Sequence, residues 1–180
     1  MVTTDRDCRT AATFFPHAVL RCEADKPFSA AETRFLRDGP EVGWNKEAFV
    51  LQWRQVERCL GANFSRYSRV LRARADLAWC SFPAAFPEEA VLLPYRAVDY
   101  WVGVSDKAAA GPAHLLMAYA GMRAYILNSR NWGRIARAMR SAKNGKGPVE
   151  AIVEDYLFRA GVPLRRRLEM RCRSWALNRI

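Results

Sequence analysis

The sequence predicts an all-α fold, of about six or seven helices with a Pro-rich irregular middle segment. Three observations predict it. Apolar residues recur at helical spacing through most of the 180 residues. Capping and stop residues bracket those stripes. Prolines cluster in one place, at Pro83, Pro87, Pro94 and Pro112. A hydrophobic fraction of 51% and six Trp belong to a chain that buries a core rather than to a disordered one.

The elements follow in order. In "PFSAAETRFLRDGP", Ser29 stands three residues before Glu32, the capping-box spacing, and Asp38-Gly39-Pro40 stops the helix. "WNKEAFVLQWRQVERCLG" has Asn45 as cap. Its Phe49, Trp53, Val56 and Leu60 fall on one face, and Gly61 is the stop. "NFSRYSRVLRARADLAWC" reads as a third helix over 64–80, with Tyr67, Val70, Leu71, Leu77 and Ala78 as an apolar set that Arg74 interrupts. The short link predicts that it packs antiparallel to the helix before it.

From 81 to 112 the prolines predict a segment that wraps rather than packs. "PEEAVLL" suits a short helix with Pro87 first, and "YRAVDYWVGV" suits helix or strand. In "AAAGPAHLLMAYAGMRAYIL", Leu115, Tyr119, Met122 and Ile126 form a helical stripe. Arg123 and the short apolar run make it a buried helix rather than a membrane span. The stripe breaks at "LNSRN", where Asn131 is placed to cap a new helix. On that helix Trp132, Ile135 and Met139 share one side, and Arg134, Arg137 and Arg140 the other. After "KNGKGP", "PVEAIVEDYLFRAG" puts Val149, Ile152, Val153, Tyr156, Leu157 and Ala160 on one face between Pro148 and Gly161. The end, "VPLRRRLEMRCRSWALNRI", spaces Leu164, Leu168, Cys172 and Trp175 as a last helix among six Arg.

Charge divides the chain. Residues 1–120 carry 15 basic and 14 acidic side chains, whereas residues 121–180 carry 14 and 4. The sequence therefore reads as a near-neutral helical region, 1–128, and a basic helical docking segment, 129–180, in one continuous domain. A basic third points to an anionic partner: RNA, anionic lipid head groups or an acidic protein face. A solvated basic surface is the plain alternative. Arg supplies 24 of the 29 basic residues, and its planar, weakly hydrated head suits contacts that become buried. The candidate partner-binding residues are Trp132, Arg134, Arg137, Arg140, Arg165, Arg166, Arg167 and Trp175, with Lys143 and Lys146 beside the first helix. The two Trp serve either as interface anchors or as core residues.

Catalytic chemistry finds no constellation. P-loop, G-x-G-x-x-G, G-x-S-x-G and H-E-x-x-H patterns are missing, and neither His17 nor His114 sits in a signature. Five Cys without a C-x-x-C pair suit reduced thiols, and Cys8, His17 and Cys22 match no common metal spacing. Glu154 and Asp155 are adjacent on a helix and point apart. The expectation is no enzyme, cofactor, metal or small-molecule substrate. The opening "MVTTDRDCRT" has no apolar h-region, so no secretory signal is expected.

"NKEAFVLQWRQVERCL" resembles the first helix of coiled-coil-helix-coiled-coil-helix accessory subunits of mitochondrial respiratory complexes. That family joins two helices through paired Cys. Here Phe49 and Val70 stand where Cys59 and Cys80 would need partners, so the disulfides are lost if the resemblance holds, and no Cys59–Cys80 bridge is expected. "RYSRVLRA", 66–73, is similar to the Leu-Tyr-Arg helix of another group of mitochondrial accessory subunits, through Tyr67, Arg69, Leu71 and Arg72. Both resemblances imply a non-catalytic subunit of a large complex at the mitochondrial inner membrane, among other subunits. An RNA-contacting subunit of a ribosome-like particle is the alternative. No helix-turn-helix, zinc-finger or RNP-type pattern points to sequence readout, so RNA would be held by its backbone.

Overall fold

The computed structural model describes residues 2–4, 21–23, 26–42, 45–61, 67–73, 87–98, 101–104, 108–141 and 148–167. The described part is mostly helical but carries a sheet, so the all-α expectation is corrected. Short strands β1 (Val2–Thr4) and β2 (Arg21–Glu23) pair in parallel.

Helices α1 (Ala30–Asp38) and α2 (Lys46–Gly61) form where the spacing predicts them. The capping box is complete: the Ser29 hydroxyl accepts from the Glu32 amide, and the Glu32 carboxylate accepts from the Ser29 amide at 2.8 Å. The Asn45 side chain accepts from the Glu47 and Ala48 amides at 2.9 and 3.1 Å. Phe49, Trp53, Val56 and Leu60 are all buried, so the α2 stripe is the centre of the core.

The helix expected over 64–80 is not formed in its described part. Arg69–Ala73 is strand β3, antiparallel to β6 (Ala108–Pro112), with Val70 opposite Gly111 and Arg72 opposite Ala109. Among the described members of the apolar set read there as a helical stripe, burial follows the two-residue period of a strand instead. Val70 is buried, whereas Tyr67 and Leu71 are exposed. Residues 74–80 lie outside the described residues.

The proline-rich middle, read as a wrapping segment, contains sheet, and of the helix or strand left open for "YRAVDYWVGV" the described residues form strand. β4 (Val91–Val98) and β5 (Trp101–Val104) pair antiparallel from Tyr95↔Val104 to Val98↔Trp101. Residues Glu88–Ala90 bend into β4 and do not form the short helix read in "PEEAVLL". Pro94 is tolerated inside β4 because the strand changes partners around it. Before it, Leu92 pairs Ala110 of β6; beyond it, pairing passes to β5. β7 (Leu164–Arg167) runs parallel to β4, with Val91 opposite Leu164 and Pro94 opposite Arg167. Arg165, Arg166 and Arg167 are thus strand residues, not the first turn of a final helix. At Gly111 the backbones close up: a Cβ there would lie 2.7 Å from the Ala90 carbonyl oxygen.

The apolar window 108–127 divides into β6, α3 (Ala113–Ala120) and α4 (Met122–Leu127), hinged at Gly121. Tyr119, Met122 and Ile126 of its stripe are buried and Leu115 half-buried. No helix among the described residues is long and apolar enough to cross a membrane. A 3-10 turn, Ser129–Asn131, leads into α5 (Trp132–Ser141). Asn128 caps that turn, accepting from the Arg130 amide at 3.1 Å. Asn131, expected as the cap, spends its side-chain amide on the Tyr125 carbonyl at 2.9 Å. α6 (Pro148–Arg159) buries Val149, Ile152, Val153 and Leu157, while Ala160, placed on that face from sequence, is exposed. The chain leaves α6 through Gly161 at φ +66°, and the Val162 amide returns to the Leu157 carbonyl at 3.0 Å.

One buried cluster joins Phe35 of α1, Phe49 and Trp53 of α2, Val91 and Leu93 of β4, Leu116 and Tyr119 of α3, Ile135 of α5 and Ile152 and Leu157 of α6. It runs across the charge boundary at 128/129, so the basic segment supplies core as well as surface.

Candidate functional site

Two arginine-rich settings stand out, and they use arginine in opposite ways. The first is internal. Glu32 on α1 is buried, and Arg54 on α2 grips it in a fork: Nε to Oε1 at 2.9 Å and Nη2 to Oε2 at 2.6 Å. Arg54 also donates to the Lys26 carbonyl at 2.8 Å. Arg123 on α4 reaches Glu32 at 3.2 Å and Glu57 at 2.6 Å. Burial alone would push the Glu32 carboxyl up. The hydrogen bonds from Arg54 and Ser29, with the Arg123 charge, outweigh it and bring the group from 4.5 down to about 2. A carboxylate held this way has no affinity for a proton near neutral pH. It is a fastener between three helices, not a general base.

Beside it, the Arg72 guanidinium on β3 lies over the rings of Tyr119, at 5.5 Å, and Trp53, at 6.0 Å. Its Nη1 donates to the Tyr119 hydroxyl at 3.3 Å. This stack ties the sheet to α2 and α3. The Trp53 indole N–H is buried there without a hydrogen-bond partner among the described residues.

The second setting is α5. Its apolar side is committed to the core. Ile135 is fully buried, and the half-buried Trp132 sets its ring edge-on to Phe35 with centroids 6.0 Å apart. The Trp132 indole N–H donates to the Ile126 carbonyl at 3.0 Å. The ring of Trp132 thus packs against the chain's own core while part of it stays exposed. With that side fixed, the 100° helical step turns Arg134 and Arg137 outwards with Arg140 beside them, and all three are exposed. Arg130 is exposed in the preceding turn. No carboxylate among the described residues pairs with any of these four.

On α6, Asp155 is already engaged. Asp155 accepts from the Tyr125 hydroxyl at 2.9 Å and from Arg159 Nε at 3.1 Å. The Tyr125 phenol is pushed up to about 12, first by burial and then by the hydrogen bond and charge of Asp155, with Arg159 and Arg134 opposing. Arg159 at the end of α6 thus belongs to the Tyr125–Asp155 group, and the Arg134 charge acts on the same phenol.

Arg165, Arg166 and Arg167 lie on β7, whose backbone alone is described, and Trp175, Lys143 and Lys146 fall outside the described residues. So do Cys8, His17 and Cys80, whereas Cys59 is a free thiol. No group of metal-binding side chains occurs among the described residues. Sequence reasoning missed the Glu32–Arg54 pair and the Arg72 stack, which join residues far apart in the chain and leave no local pattern.

No family model, curated protein or solved structure matches this chain.

Proposed function

We propose that this chain is a non-catalytic structural subunit of a larger ribonucleoprotein-like assembly, docking by laying the arginine face of α5 along the phosphate backbone of RNA. One observation carries the proposal. The apolar side of α5 is turned to the core, so it offers outwards Arg134, Arg137 and Arg140, with Arg130 exposed in the turn before it, and no carboxylate among the described residues pairs with them. A protein interface draws most of its energy from Trp, Tyr and Arg anchors packed into a desolvated, partly apolar centre. A face of guanidinium groups alone suits a line of phosphates, which accept bidentate hydrogen bonds and need no shaped pocket.

An accessory subunit of a mitochondrial inner-membrane respiratory complex stands second. There the same face meets an acidic subunit surface or anionic lipid head groups. Its support is the helix at 46–60, since 66–73, which both resemblances treat as helix, contains strand β3.

The test is RNA affinity of the full chain as a function of salt. Each phosphate contact contributes about 0.7 to 0.9 to the slope of log K against log salt. Arg134→Gln, Arg137→Gln and Arg140→Gln combined are expected to flatten that slope by roughly 2 to 3. An unchanged slope removes α5 from the RNA surface. Recovery of respiratory subunits rather than RNA with the native protein favours the second reading.

A further inference from the structure

Resting on that reading, we infer that Gly133 is the point at which the RNA backbone lies directly against α5, with a phosphate seated on the bare helix among Arg130, Arg134 and Arg137. Gly133 is exposed and is the fifth residue of a continuous helical run that opens with the turn Ser129–Asn131 and passes into α5. Glycine costs helix stability there, because it loses more conformational freedom on folding than any other residue. The described part of the fold does not call for it. The positive φ belongs to Gly161, not to Gly133. At Gly39, Gly111 and Gly121 the Phe35 carbonyl, the Ala90 carbonyl and the Tyr156 hydroxyl take the space of a Cβ. At Gly133 no described atom lies within 4 Å of where a Cβ would stand.

What surrounds the bare position is positive charge. At about 100° and 1.5 Å per residue, Arg137 stands about 40° round from Gly133 and about 6 Å along the axis. Arg140 stands about 20° round and about 10 Å along, so the three form one stripe. Arg130 precedes Gly133 by one turn, and Arg134 follows it directly; all four arginines are exposed. Side chains on a helix lean toward its N-terminus, which carries Arg137 back over the turn that holds Gly133. A missing Cβ lets a ligand's backbone approach the helix closely. A phosphodiester seated there offers two oxygens to guanidinium groups on either side of it. The phosphate lies in the polymer's own backbone, so gripping it brings the flanking ribose against the helix, where a side chain at 133 would stand in the way. A protein carboxylate reaches out on a side chain and needs no such clearance.

The experiment uses the full chain, labelled oligouridylate and a thermal melt of the same samples. Gly133→Ala is expected to act in opposite directions in the two assays. The melting temperature rises by about 2–4 °C, since Ala is the better helix former and meets open space. Affinity falls by about tenfold, the loss of one charge-assisted hydrogen bond to phosphate. Gly133→Leu, with more bulk over the same spot, is expected to bind more weakly still. The inference is overturned if either variant binds oligouridylate like the unmodified chain. It is equally overturned if Gly133→Ala lowers the melting temperature, for the glycine then serves the chain's own packing. If the unmodified chain binds no RNA, the RNA reading falls and this inference with it. A salt slope that flattens in the arginine triple variant while Gly133→Ala binds normally overturns this inference alone.

Discussion

Glu32→Gln should be among the most damaging isosteric changes in the molecule. It removes one negative charge and leaves Arg54, itself buried, facing a neutral amide. Two routes give its size. The carboxyl stands at about 2 instead of 4.5, and each unit is worth about 1.4 kcal/mol, so the folded state favours the ionised form by about 3 kcal/mol. Removing one partner of a buried pair costs about 3–5 kcal/mol. The lower end applies, because Arg54 keeps the Lys26 and Pro27 carbonyls and Gln can still accept from Ser29. About 3 kcal/mol is a large part of the roughly 5–15 kcal/mol that holds a domain folded. The assay is urea unfolding of both proteins at pH 7 and at steps down to pH 2. A depressed folded-state pKa gives stability that is present above the unfolded value, 4.5, and is lost as pH falls through about 2. The gap between the proteins should therefore shrink across that window. A gap under about 1 kcal/mol at pH 7, or one that stays constant from pH 5 to pH 2, refutes the reasoning. Replacing both Glu32 and Arg54 by Leu is expected to recover part of the loss, since no charge is then stranded.

Other changes test other parts of the fold. Gly111→Ala drives a methyl group to 2.7 Å from the Ala90 carbonyl and 3.2 Å from Val91 Cα. It should cost about 1–3 kcal/mol in a denaturant melt, because both obstacles are backbone. Ile135→Ala, at a fully buried position, should cost about 2–5 kcal/mol, whereas the arginine triple variant on the opposite side of α5 should leave the melt unchanged. Truncation before Ser129 removes Ile135, Ile152, Val153 and Leu157 from the core, so residues 1–128 alone should lose the cooperative transition in circular dichroism. Tyr125 should titrate near pH 12 by ultraviolet absorbance in the folded protein. Since its unfolded counterpart ionises near 10, stability should decline between about pH 10 and 12, and Tyr125→Phe should abolish that component.

The fold was legible where a single local rule governed. Ser29 with Glu32, Asn45, and the Phe49–Trp53–Val56–Leu60 stripe each state a cap or a face within one segment, and the structure follows them. The sheet was not legible because its evidence is non-local. In "RYSRVLRA" the same residues satisfy a rough helical stripe and a two-residue alternation, and what decides is β6, nearly forty residues on, offering Ala108–Pro112 as a ladder. Around β4 the prolines suggested a wrapping segment and "YRAVDYWVGV" suited helix or strand; Pro94 falls at the change of partners. The terminal "LRRR" was drawn into a helix by apolar spacing that continues past 167, while Leu164–Arg167 answers to β4.

The candidate site was legible for a related reason, and its limit is instructive. A helix with an apolar side must bury that side, so locating Trp132, Ile135 and Met139 on one side of α5 was enough to place Arg134, Arg137 and Arg140 on the other. No such rule separates a working arginine from a structural one elsewhere. Arg54, Arg72 and Arg123 are spent holding the sheet and three helices together, through Glu32, Glu57 and the rings of Trp53 and Tyr119. Net charge counts these the same as the exposed set, although an arginine whose hydrogen bonds are satisfied internally has little left for a phosphate. The available positive surface is therefore narrower than a total of +11 suggests. Among the described residues the exposed arginines are Arg130, Arg134, Arg137 and Arg140 on and before α5 and Arg159 at the end of α6, together with Arg34 and Arg37 on α1 and Arg69 on β3, of which Arg37 already pairs with Asp38, Arg69 with Glu88 and Arg159 with Asp155.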